Sequence, residues 1–115
     1  MSLVIYHNPR CSKSRQTLAL LEENGHQPTI VEYLKNTPSV EELKATIEKL
    51  GVSPRDILRT KETEYKESGL DNQELSDSEV LNLMNSFPKV IERPIVINGD
   101  KAAVGRPPEN VLNIL

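Results

Sequence analysis

The stretch HNPRCSKSR, residues 7–15, holds the one cysteine of a 115-residue chain beside Arg10, Lys13 and Arg15, although the chain carries a net charge of −3. The thiolate is the nucleophilic form of cysteine, and a free thiol with a pKa of about 8.5 is only about 3% ionised at pH 7. Nearby cations move that balance toward the anion. A first-turn position on a helix does the same, because the unpaired N–H groups of Ser12, Lys13 and Ser14 would face a sulfur at residue 11. Those N–H groups also suit a tetrahedral oxyanion next to the sulfur. Ser14 offers a further hydrogen bond, and a charged His7 close by would add to the stabilisation. Each feature has a plainer explanation on its own: a cysteine is often a small buried hydrophobe, a histidine a turn residue, a run of cations a solvated face. Their concentration in one short stretch favours a reactive, anion-handling thiol.

Spacing removes several neighbouring chemistries. A cysteine phosphatase loop needs Arg six positions after its Cys, and Thr17 stands there. A dithiol oxidoreductase needs Cys-x-x-Cys, and here the fourth residue is Ser14, so any second thiol comes from another molecule. One cysteine with two histidines, His7 and His26, is too small a set for a thiolate-rich metal site. No paired carboxylates and no Ser-His-Asp arrangement stand out. Neither a metal nor a bound cofactor is expected.

The elements around the thiol are readable from the pattern. LVIY, residues 3–6, is a short apolar, β-branched run and predicts a buried strand. From Ser12 the pattern becomes helical, with Leu18, Leu20 and Leu21 as its apolar face and Asn24-Gly25 as the stop. Residues from Pro28 predict a second strand, and the intervening helix is the crossover that makes the two strands parallel. Cys11 therefore sits in the loop of a βαβ unit. Capping boxes at Ser39 with Glu42 and at Ser76 with Glu79, and a cap at Ser53 before Pro54, predict three further helix starts. The first has a stripe of Val40, Leu43, Ile47 and Leu50 and ends at Gly51. Residues 60–75 are polar enough for a solvated helix or loop. RPIVINGDKAAVGRPP predicts a hairpin: Ile95, Val96 and Ile97 in one strand, Asn98-Gly99 in the turn, Ala102–Val104 in the other. Pro107-Pro108 opens a last helix with Val111, Leu112 and Leu115 inward. The expected architecture is α/β: a thioredoxin-like fold with a mixed four-stranded sheet, βαβ then ββα, and a helical insertion between the halves. No repeat or linker divides it, so residues 1–115 are expected to form a single domain.

Composition bounds the partners. Fourteen Lys and Arg against seventeen Asp and Glu, with four aromatic residues, argue against nucleic acid as a ligand. No apolar run approaches the roughly 20 residues of a membrane span, and no signal-peptide pattern opens the chain. A cytoplasmic, reducing location and a monomer are the expectations.

Three further arginines lie in conspicuous contexts: Arg59 in ILRTKE, Arg93 in ERPIVI and Arg106 in VGRPP. A guanidinium matches an oxyanion edge and stays charged when partly desolvated. By composition alone the Arg93-Pro94 bond would be trans and these arginines surface residues. YHNPRCSKSRQTL, the Leu58-Arg59 pair, ERPIV and GRPPE together, however, make the chain resemble the glutaredoxin-coupled, thioredoxin-fold arsenate reductase family, and within it the arsenate-reductase-related proteins of proteobacteria. The resemblance runs nearly end to end. It implies that Cys11 is the nucleophile, that Arg59, Arg93 and Arg106 hold the oxyanion, that His7, Ser14 and Arg15 support the thiolate, and that Pro94 is the cis-proline of the fold. It further implies arsenate or a similar oxyanion as substrate, glutathione as co-substrate and glutaredoxin as partner. One departure stands out: the resembled reductases have Gly-Thr after the cysteine, where this chain has Ser12-Lys13. Lys13 adds positive charge and Ser12 narrows backbone freedom in the anion loop. Two other functions fit the same thiol: a monothiol oxidoreductase acting on glutathione mixed disulfides, and a redox-linked binding protein of the same family. The binding proteins usually carry the Cys-x-x-Cys that is missing here.

Overall fold

The computed structural model describes residues 3–115, which fall into two compact units. One is formed by residues up to Asn36 together with Arg93–Leu115, the other by Thr37–Glu92. The first unit contains β1 (Leu3–Tyr6), α1 (Ser12–Glu23), β2 (Thr29–Val31), β3 (Ile95–Asn98), β4 (Lys101–Val104) and a final 3₁₀ helix over Pro108–Ile114. Its strands form a four-stranded sheet in the order β2-β1-β3-β4. β1 runs parallel to β2, with Ile5 opposite Ile30, and antiparallel to β3, with Ile5 opposite Val96. This βαβ unit followed by ββα is the thioredoxin-like arrangement, α/β with a mixed sheet.

The two central strands are built from β-branched residues that suit a sheet buried on its faces. Ile5, Ile95 and Val96 are completely buried. Ile5 and Val96 from the sheet, Leu21 from α1 and Val111 from the final helix form one core cluster, with Leu3, Leu18, Leu20, Ala103 and Ile114 packed around it. Burial of each such aliphatic side chain is worth about 1.5–3 kcal/mol. The core therefore clamps the loop that carries Cys11 between β1 and α1, two elements that cannot move apart without exposing it.

Two details differ from the pattern reading. The hairpin turn is Gly99-Asp100, one residue later than expected, because Asn98 still pairs with Lys101 in the ladder. Gly99 alone takes a positive φ, +63°, which is the type II′ solution with glycine first. The last helix is wound as 3₁₀ rather than α, and its period of three puts Pro108, Val111 and Ile114 on the inner face. Leu112 and Leu115, expected inward on an α period, are each 40% exposed.

The second unit contains α2 (Val40–Leu50), a 3₁₀ turn over Pro54–Ile57, α3 (Thr63–Glu67), α4 (Asp77–Ser86) and a 3₁₀ turn over Pro88–Val90. Both expected capping boxes are formed: Ser39 with Glu42 on α2, Ser76 with Glu79 on α4. Gly51 ends α2 in the left-handed conformation at φ +71°. The Ser53-Pro54 start yields only the short 3₁₀ turn, held where the Ser53 N–H donates to Asp56 Oδ2 at 2.9 Å. Within 60–75 only the single short helix α3 forms. α2 buries Leu43, Thr46 and Ile47, α4 buries Val80, Leu81 and Met84, and the two helices are in contact. No helix of the described residues is long and apolar enough to cross a membrane.

Candidate active site

The β1–β2 ladder extends one residue past β1, where the His7 N–H donates to the Val31 carbonyl at 2.8 Å. The chain then turns: the Asn8 side chain accepts from the Arg10 N–H, and the Asn8 carbonyl accepts from the Cys11 N–H, both at 3.0 Å. This leaves Cys11 extended, at φ −92° and ψ 124°, as the N-cap residue of α1. Its carbonyl takes the first helical bond, from the Arg15 N–H at 3.0 Å. Asn8 and the fixed φ of Pro9 are thus the local reasons that the thiol arrives at the end of a helix rather than in its interior.

The sulfur is half-buried and reduced. Arg106 Nη2 approaches it to 3.6 Å, and Arg106 Nε donates to the Arg93 carbonyl at 2.8 Å. Burial alone would push the Cys11 thiol up, but the Ser14 N–H, the hydrogen bond and charge of Arg93, and the Lys13 N–H all favour the thiolate, and the net direction is down. The thiol makes no close capping hydrogen bond of its own. The amides act on it as oriented dipoles, which strengthens as the sulfur becomes an anion.

Ser14 is fully buried, and its hydroxyl joins two elements. Oγ accepts from the Asn8 N–H at 3.0 Å and pairs with His7 Nδ1 at 2.5 Å. Burial pushes the His7 pKa down from 6.5; Glu32 opposes that shift and the Arg15 charge adds to it. At neutral pH His7 is therefore an uncharged hydrogen-bond partner of Ser14, so the favourable interaction that a charged His7 would add is absent. Arg15 itself is exposed, and its Nη1 ties α1 back to the loop by donating to the Pro9 carbonyl at 2.9 Å.

The Arg93–Pro94 peptide bond is cis, and so is Arg106–Pro107, which the sequence did not suggest. The Gly105 N–H donates to the Pro94 carbonyl at 2.9 Å. A Cβ on Gly105 would lie 2.5 Å from Thr17 Oγ1 and 2.8 Å from Pro94 Cγ. The backbone leading to Arg106 thus passes so close to α1 and Pro94 that only glycine fits. Thr17 and Gly105 are positioning residues that the hydrophobic pattern could not reveal, since one is polar and the other has no side chain.

Cys11, Arg93, Arg106, Ser14 and His7 are accordingly gathered in the first unit. Arg59 belongs to the second unit, where Nη1 pairs with Glu92 at 2.9 Å and Nε with Glu62 at 3.4 Å. Its N–H donates to the Val90 carbonyl at 2.7 Å, next to an antiparallel bridge between Leu58 and Ile91. Neither carboxylate was singled out from the sequence. Among the described residues no group of three His, Cys, Asp or Glu side chains is placed to hold a metal ion.

The sequence model of the ArsC family matches residues 6–114, a span that includes every residue just described. The chain belongs to the ArsC family. It is similar to a Haemophilus influenzae protein named arsenate reductase, 55% identical over 116 residues and covering the full length of both chains. It is also similar to an Escherichia coli K12 protein, named YfgD and described as uncharacterized, at 48% identity over 112 residues, covering 96% of this chain and 94% of that one. Among solved ArsC-type structures, one described as arsenate reductase from Vibrio cholerae superposes with a TM-score of 0.96 at 53% identity, covering 100% of this chain and 98% of the other.

Proposed function

We propose that this chain is an oxidoreductase that reduces arsenate to arsenite, with Cys11 as nucleophile and glutathione and glutaredoxin as its sources of electrons. The observation that carries the reading is the 3.6 Å approach of Arg106 Nη2 to a half-buried sulfur whose pKa is lowered. Membership of the ArsC family supports the substrate, since the full-length relatives include proteins named arsenate reductase.

In the first step the Cys11 thiolate attacks arsenic and hydroxide leaves, forming a sulfur–arsenic(V) bond. Arg93 and Arg106 neutralise charge on the arsenate oxygens, a role that the resemblance also implies for Arg59. The thiol of glutathione then attacks the adduct. Two thiols, Cys11 and glutathione, together lose two electrons and become one mixed disulfide; arsenic(V) gains them and leaves as arsenite. The second thiol has to be external because the chain has one cysteine. Glutaredoxin takes up the glutathionyl group and restores the Cys11 thiol. Such chemistry belongs in a reducing compartment, and the cytoplasm is the proposed location.

The test is a coupled assay of NADPH oxidation with glutathione, glutathione reductase and glutaredoxin. An arsenate-dependent rate that disappears in Cys11→Ser is expected. Absence of that rate, or a rate that survives the substitution, overturns the reading.

A further inference from the structure

Arg59 is held in the second unit at two levels. Its main chain belongs to a short antiparallel ladder: the Arg59 N–H donates to the Val90 carbonyl and the Glu92 N–H to the Ile57 carbonyl, each at 2.7 Å, around the Leu58–Ile91 bridge. Ile57, Val90 and Ile91 are buried, so apolar packing anchors the ladder. The side chain is then gripped by two carboxylates. Nη1 donates to Glu92 Oε1 at 2.9 Å and Nε to Glu62 Oε1 at 3.4 Å.

The two carboxylates reach Arg59 from separate parts of the chain. Glu62 follows three residues later, its N–H donating to the Arg59 carbonyl at 3.1 Å, whereas Glu92 is 33 residues away. Glu62 is also the N-cap residue of α3, where a carboxylate would suit the helix end, yet its side chain makes no cap hydrogen bond. It meets the guanidinium instead. One carboxylate would leave the long arginine side chain free to swing about the contact, whereas two on different nitrogens fix the plane of the group. Nη2 makes no hydrogen bond among the described residues. Two carboxylates also offset the positive charge that an oxyanion would seek. The arrangement therefore serves an anion only through the position it imposes.

We propose that Glu92 is the positioning residue of Arg59: together with Glu62 it fixes the guanidinium plane and leaves the Nη2 edge to an oxyanion oxygen. The proposal rests on the reading of Arg59 as an oxyanion ligand. Its new content is that the hydrogen bond from Nη1 to Glu92, not the charge of Glu92, is what oxyanion binding depends on.

Two variants separate position from charge. Glu92→Asp keeps the charge but is one methylene too short for the contact with Nη1, and Glu92→Gln keeps an acceptor of the same length without the charge. The readout is protection of Cys11 from iodoacetamide by arsenate in the absence of glutathione. Glu92→Asp is expected to raise the half-protecting arsenate concentration about tenfold, as a displaced ligand does. Glu92→Gln is expected to stay within about threefold of the parent, the scale of one part-exposed charge. In an Arg59→Gln background, Glu92→Asp should cause no further loss, because its effect passes through Arg59. A loss that persists in that background would belong to the fold of the ladder and overturns the proposal. Tighter arsenate binding in Glu92→Gln, or parental binding in Glu92→Asp, also overturns it. Absence of protection in the parent protein overturns both the proposal and the reading beneath it, whereas the other failures leave that reading standing.

Discussion

Arg106 Nη2 lies 3.6 Å from the Cys11 sulfur across 95 residues of sequence, while Nε of the same guanidinium donates to the Arg93 carbonyl. One planar group thus spans the thiol and the backbone of a second candidate oxyanion ligand. An ammonium has no such fixed fork, so it can serve one partner but not hold both in register. Arg106→Lys, although it keeps the charge, is expected to lower kcat/KM for arsenate by about 10²-fold, the usual effect of losing one preorganised charge-stabilising donor. Arsenite formation in the coupled assay measures this. A lysine variant with near-parental activity would show that charge alone suffices.

The hydrogen bond and the charge of Arg93 both favour the thiolate of Cys11. In the parent protein the pH profile of iodoacetamide alkylation should have its midpoint below that of a free thiol. Arg93→Gln should move the midpoint up, because the opposing effect of burial remains while the hydrogen bond and charge of the guanidinium are lost. An unchanged midpoint would assign the shift to the Ser14 and Lys13 amides and to Arg106.

Gly105 is a packing prediction. An added methyl would meet Thr17 Oγ1 at 2.5 Å and Pro94 Cγ at 2.8 Å. Gly105→Ala should therefore destabilise by about 1–3 kcal/mol, as overpacking does, and should also reduce arsenate turnover because the adjacent Arg106 shifts. Thr17→Ala opens space on one side but breaks the bond from Thr17 Oγ1 to the Lys13 carbonyl, 2.8 Å. The double variant should lose less stability than the two single losses added together. Urea unfolding of the four proteins checks the cycle; strict additivity would mean that the crowding is relieved elsewhere.

These residues also mark what pattern reading reaches. Strands β1 and β3 and the starts of α1, α2 and α4 follow from β-branched runs and capping residues, signals that act over a few positions. The buried face of α1 does not: it is Ser14, Thr17 and Leu21, and the two polar members are inside because each has a local hydrogen-bond partner. The ion pairs of Arg59 with Glu62 and Glu92 were equally invisible, since 33 residues separate Arg59 from Glu92. The 3₁₀ winding of the last helix escaped because Pro108, Val111 and Ile114 suit a period of three while Leu112 and Leu115 suggested 3.6. The motif around Cys11 was legible as chemistry. The contact with Arg106 was not, because it depends on the sheet that joins the two ends of the chain.

His7 provides a pH prediction with a definite sign. Its folded pKa is lowered from 6.5, chiefly by burial, so between the folded value and 6.5 the unfolded chain binds the proton more readily than the folded one. Stability then rises with pH across that window and falls as pH drops below 6.5, because the unfolded state gains the proton first. His7 also holds the buried Ser14 hydroxyl, so a substitution removes both the titration and a hydrogen bond. His7→Gln keeps a polar group in place of the ring and should cost about 1–3 kcal/mol at pH 7.5, the range for disturbing a buried hydrogen bond. The decisive quantity is the slope. Unfolding free energies of the parent, measured by urea at several pH values from 5 to 7.5, should increase with pH more steeply than those of His7→Gln. Equal slopes in the parent and His7→Gln would mean that His7 takes up its proton in the fold as easily as in the unfolded chain, contrary to its burial against Ser14.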